Sequence, residues 1–191
     1  MSFVLLGILN SQAAGGGAAG DFELLETTTL ASDTASVTFS GLGSYTDYKH
    51  LQMRIVSQTD RSSPGTLDII SVELSGDTTS SYRRHVLNGN GSSVSSSSGT
   101  LGGRNYIGYT NAVNQGADNY GTTVADFLDF SNVNKNTVYR SFSGFTNSNA
   151  SEIMLFSGSN FVAEALTSLK FTPELSSNFT AGSRFSLYGI K

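Results

Sequence analysis

Two histidines, His50 and His85, are the whole imidazole supply of this 191-residue chain. A Ser-His-Asp site needs one histidine whose two ring nitrogens meet a serine and an acid. Serine is plentiful, so chance proximity is weak evidence, and no G-x-S-x-G nucleophile elbow occurs. Both histidines sit in strand-like sequence, His85 directly after Arg83 and Arg84, and they read as surface residues. Two carboxylate pairs could do acid–base work, Glu23 with Glu26 and Asp126 with Asp129. Asp126 and Asp129 are three apart, so on a regular strand they face opposite sides and cannot share a substrate. They read as solvent-facing or turn acids rather than a glycosidase pair. No D-x-[DN]-x-[DN]-G calcium loop occurs. "NGNGSS" lacks the lysine of a phosphate loop and leads into no helix.

Tyrosine and arginine offer binding chemistry instead. "YRRH" and "GGRNYIGYTN" place Tyr82, Arg83, Arg84, Arg104, Tyr106 and Tyr109 near candidate loops. Aromatic faces and planar guanidinium groups hold sugar or another protein. The same residues also fit a tyrosine-rich sheet surface with the arginines paired to acids elsewhere.

The elements that must position these groups are strands. Hydrophobic residues make up 38% and charged residues 14%, with Ser, Thr, Asn and Gly filling the difference. Thr suits strands, and Gly, Asn and Ser suit turns. Twelve Phe and eight Tyr supply apolar area, so the composition is not that of a disordered chain. "KHLQMRIVSQT" alternates, with Leu51, Met53 and Ile55 on one face and His50, Gln52 and Arg54 on the other. "SVTFSG", "ALTSLKFTPE" and "SRFSLYGIK" alternate too. "TLDIISVELSGDTTSSYRRHVL" reads as a hairpin about Gly76-Asp77. "GTTVADFLDFSN" and "NTVYRSFSGFTN" read as a second pair, and "SEIMLFSG" as a buried strand. Segments 88–103 and 111–121 read as loops, and "NFVAEALTSL" offers at most one helical turn. Nine to eleven strands result, an antiparallel sandwich, jelly roll or small barrel.

The net charge of -4 lacks the basic stripe of a nucleic-acid binder. There is no cysteine, so disulfides, thiolate chemistry and Cys-based zinc sites are excluded. The opening "MSFVLLGILNSQAAGGGAAG" divides the chain into an arm, residues 1–20, and a β-domain, residues 21–191. The arm's apolar run has no Lys or Arg before it, unlike a signal peptide, and it is too short to span a bilayer. The Ala/Gly stretch is a mobile coil unless something holds it. Phe3, Val4, Leu5, Leu6, Ile8 and Leu9 are the expected assembly anchor. Burying five or six such side chains is worth about 8–15 kcal/mol gross. Ordering the tether takes back a large share.

The two ends, "MSFVLLGILNSQAAGG" and "AGSRFSLYGIK", resemble those of short virion structural proteins from tailed phages of marine bacteria. "TDYKHLQMRIVSQTDRSS" and "LNGNGSSVSS" are similar to the same family. The resemblance implies a jelly-roll-like β-sandwich on the virion exterior, without enzymatic activity or cofactor, assembled as a homo-oligomer and expected to be a trimer. Its partners would be other virion proteins of the capsid or tail. Two roles follow. One is a capsid decoration or head-fibre protein docked through its N-terminal arm; the other is a tail-associated adhesin for host-surface glycan. A polysaccharide hydrolase is the enzymatic alternative to both.

Overall fold

Alternating side chains build the sheets. The computed structural model describes residues 21–62, 66–79, 82–175 and 177–191. The anchor residues Phe3, Val4, Leu5, Leu6, Ile8 and Leu9 therefore lie outside the described residues. The strands are β1 (Phe22–Thr29), β2 (Val37–Ser40), β3 (His50–Thr59), β4 (Leu67–Leu74), β5 (Tyr82–Gly89) and β6 (Val94–Leu101). They continue with β7 (Asn105–Ala112), β8 (Gly121–Leu128), β9 (Asn136–Thr146), β10 (Ser151–Ala163), β11 (Ser168–Pro173) and β12 (Arg184–Ile190). Two single-turn 3-10 helices, Leu42–Ser44 and Val113–Gln115, are the only helical pieces among the described residues.

The larger face is antiparallel, in the order β1-β12-β3-β8-β9-β10-β5-β6. The smaller face is β2-β11-β4-β7. Strand β3 belongs to both. Through Ser57 it pairs with β12 and β8, and then Gln58 and Thr59 pair in parallel with Asn111 and Ala112 of β7. The fold is all-β and sandwich-like, with more strands than the sequence pattern resolved.

The core lies between the faces. Leu51, Met53 and Ile55 are buried as their alternation requires, and Arg54 between them is exposed. Phe39 meets Phe171 edge-on at 6.3 Å within the smaller face, and Phe171 reaches Phe185 of the larger face at 6.0 Å. Burying each such side chain is worth roughly 1.5–3 kcal/mol.

Three local expectations change. β4 and β5 do not form a hairpin. The turn at Ser75 and Gly76, both at positive φ, passes the chain from the smaller face to the larger. Local turn chemistry fixes a reversal but not the strand that will pair. Segment 88–103 is not a loop: β5 and β6 form the hairpin there, around Gly91 at φ 85. Asn90 Oδ1 closes that turn by accepting the Ser92 and Ser93 N–H groups at 3.1 and 2.8 Å. "SEIMLFSG" lies in β10, which is buried on one face only; Ile153 and Leu155 stand 52% and 50% exposed. In keeping with the thin helical signal of "NFVAEALTSL", that segment holds the end of β10, at Ala163, and the start of β11, at Ser168.

Candidate functional site

The six Tyr and Arg candidates separate into four environments. Tyr82 is a core residue. Its hydroxyl accepts the Leu74 N–H at 2.9 Å and lies 3.2 Å from the Asp77 carbonyl, and burial pushes its pKa well up. It ties β5 to the end of β4. Arg83 points outward over the Phe161 ring at 5.7 Å. Arg104 forms a two-pronged ion pair with Glu174, its Nη2 2.8 Å from Oε2, and that hydrogen bond raises its pKa.

Arg84, Tyr106 and Tyr109 come together. Arg84 faces inward on β5, and its guanidinium lies 4.2 Å from the centre of the Tyr106 ring. Opposite it on β6 is Gly99, where a Cβ would sit 3.4 Å from the Arg84 guanidinium carbon. With no side chain at Gly99, nothing projects from β6 against the guanidinium at that point. Tyr106 and Tyr109 are three apart and on a regular strand would point to opposite faces. The register shift opposite Ile70 and Ser71 leaves Ile107 as an extra residue, and both tyrosines then reach one side. Tyr109 packs edge-on against Phe156 at 6.0 Å. Burial raises its pKa and Glu152 adds to that, with Arg84 pulling the other way. It stays a neutral hydroxyl.

These residues line a cavity of about 90 Å³ together with Asn88 and the serines of β6. Ser95, Ser96 and Ser97 are exposed, so the cavity opens at the sheet edge. Arg84 Nε and Nη1 are buried there without an acceptor, as is Asn88 Oδ1 without a donor. Asn88 Nδ2 donates to Glu152 Oε2 at 2.7 Å. The sequence pattern missed Asn88, at the end of β5, and the β6 serines, whose strand is polar on both faces and carries no period-2 signal.

A second feature lies on the outer side of the larger face. One cross-strand row reads Arg54, Val124, Phe142, Leu155 and Leu87. Its four apolar members are 37%, 49%, 50% and 44% exposed, and Ile153 joins them from the neighbouring row. Gly144 and Gly89 flank Ile153 in a groove of about 560 Å³ on one side of Phe142, and a groove of about 370 Å³ between Val124, Arg140 and Leu155 lies on the other. The next row is polar, with Asp126 paired to Arg140 at 3.0 Å and bonded to Gln52 at 2.8 Å. The signal for this band is visible in β9, where Val138 and Phe142 fall on the side opposite Tyr139 and Phe145.

Of the acid–base candidates, His50 and Asp129 meet: His50 Nδ1 accepts the Asp129 N–H at 2.9 Å and lies 3.7 Å from the Asp129 carboxylate, while His85 is exposed. Lys135 bonds the Asp129 carboxylate at 2.7 Å and holds its pKa below the usual carboxylate range. Among the described residues no group of three or more His, Cys, Asp or Glu could hold a metal ion, and no helix is long and apolar enough to cross a membrane. Comparison of the chain with family models, curated proteins and solved structures finds no match.

Proposed function

We propose that this chain is a structural protein of a phage virion, a capsid decoration or head-fibre protein on the particle exterior that docks through its N-terminal arm. The observation that carries the reading is the apolar band on the larger face. Scattered surface apolar residues are normal, but a contiguous row bordered by polar residues marks a contact surface. Its occupant is the leading segment Phe3–Leu9 of a neighbouring copy. That segment supplies six apolar side chains, enough to cover the row and its two grooves. Residues 10–20 reach roughly 36–40 Å when extended. The band centre at β9 lies four strand spacings, about 19 Å, from the β1 edge where the described chain starts. The arm is thus about twice as long as the path across its own face, and we take the excess as what carries it to a neighbouring copy and ties copies into a homo-oligomer, with a trimer expected.

The test uses the full chain, a variant lacking residues 1–12, and the double variant Phe142→Glu, Leu155→Glu. Sedimentation should show an oligomer for the first and a folded monomer for the other two, and both variants should be lost from particles. A monomeric full chain means that the arm covers its own subunit, and an oligomer that survives both changes means that assembly uses another surface; either result rejects the proposal. The alternative role, a tail-associated glycan adhesin, is favoured by the meeting of Arg84, Tyr106 and Tyr109 in one open cavity. Cryo-microscopy of the virion separates head from tail.

A further inference from the structure

We propose that the cavity between β5, β6 and β7 binds a hydroxycarboxylate, either a small free hydroxy acid or the acid end of a sugar acid, with Arg84 as its anchor. This deepens the attachment reading without depending on it. The argument starts from unmet hydrogen bonds. A buried guanidinium needs an acceptor or an anion, because removing its water costs more than any contact it makes with a ring. Arg84 Nε and Nη1 have neither, and the guanidinium forms no ion pair among the described residues. Glu152, the acid on the far side of Asn88, is already engaged by the Asn88 amide.

The remaining lining defines the ligand. Arg84 supplies the one positive charge of the lining, and Glu152 beyond Asn88 repels further negative charge, so a monoanion is the most that Arg84 can pair. A guanidinium fork matches the two oxygens of a carboxylate. Asn88 Oδ1 is an orphan acceptor, its orientation fixed because Nδ2 must donate to Glu152. It calls for a donor, which a bare carboxylate lacks and a neighbouring hydroxyl provides. Paired residues on β5 and β6 share a face, so Ser95 and Ser97 stand beside Asn88 and Val86. Tyr106 and Tyr109 give the apolar walls on which a sugar ring or a short carbon chain can rest. About 90 Å³ equals three waters by liquid volume, room for a small hydroxy acid or for the end of a larger one entering past the exposed serines.

Calorimetric titration of the full chain tests this with lactate, glucuronate, acetate, methyl lactate and sulfate. Lactate or glucuronate should bind, acetate several-fold more weakly, and methyl lactate not at all. Arg84→Met should weaken binding about tenfold or more. Arg104→Met, whose arginine is already paired with Glu174, should leave it unchanged. If Arg84→Met fails to fold, Ser97→Ile replaces it, filling the cavity from β6 and abolishing binding. Glucuronate binding without lactate binding identifies a sugar acid as the source, and the reverse a small metabolite. No binding at tens of millimolar means a water-filled cavity and overturns the proposal. Sulfate binding as tightly as the hydroxy acids, or binding indifferent to Arg84, overturns it equally. Binding of free acid without binding of acidic polysaccharide keeps the pocket and removes the attachment role. Polysaccharide binding that survives Arg84→Met places attachment elsewhere.

Discussion

Tyr139 is fully buried in β9, and its hydroxyl donates to the Tyr106 carbonyl of the opposite face at 3.0 Å. The side chain fits because β10 carries Gly158 beneath it. A Cβ at that position would overlap the Tyr139 ring and hydroxyl. Gly189 stands in the same relation to the Tyr48 ring. Neither glycine has positive φ, so here the missing atom matters and backbone freedom does not. Gly158→Ala should cost about 1–3 kcal/mol through overpacking. In a domain of this size that is roughly 3–10 °C of melting temperature. The same change in a Tyr139→Leu background should cost clearly less, since the clashing atoms are gone, and a thermal double-mutant cycle measures the difference. Equal costs in the two backgrounds would place the strain elsewhere.

At the scale of elements, the connection from β11 to β12 shows what holds a long loop on a sandwich. Asp68 of β4 is fully buried, and it accepts the Ile69 N–H at 2.7 Å, the Leu175 N–H at 3.2 Å and the Ser177 hydroxyl. Asp60 does the same beyond the end of β3, taking the Asn178 N–H and side-chain amide at 2.7 Å each. Asp68→Ala leaves buried donors unmet and should lower stability by about 2–3 kcal/mol. Chemical denaturation measures the loss, and hydrogen exchange should show it centred on residues 174–179. The strands themselves were legible wherever one face is apolar: Leu51, Met53 and Ile55, or Phe185 and Leu187, announce period 2 directly. β6 was not legible, because "VSSSSGTL" is polar on both sides and its partner β5 alone makes it a strand. The β4–β5 crossing was not legible either, since pairing partners are chosen by distant strands. At the site, the sequence named Arg84, Tyr106 and Tyr109 from residue type alone. The bulge at Ile107 that unites the two tyrosines, and the alternation that buries Tyr82, appear only once the register is known.

Over the whole molecule, tyrosine hydroxyls act as struts joining separate parts of the sandwich. Tyr48, beneath β12, donates to Glu23 of β1 at 2.6 Å; that bond and burial raise its pKa to about 12. Burial raises those of Tyr82 and Tyr139 further, and Tyr45 and Tyr109 also move upward. In the unfolded chain all of them release a proton near pH 10. A folded pKa raised above the unfolded one means that the native state keeps protons the unfolded chain would lose. The stability this contributes is complete below about pH 10 and disappears as the pH climbs from there through the folded values. With no disulfide to oppose opening, unfolding should arrive as one step above pH 10. Phenolate absorbance and far-ultraviolet dichroism, followed together from pH 8 to pH 12, check this. The tyrosines whose pKa is raised should ionise only as the sheet signal collapses. Tyr48→Phe removes one of the coupled protons, so its alkaline transition should be less steep. A smooth titration of all eight tyrosines with the sheet signal intact would show that these hydroxyls do not hold the faces together.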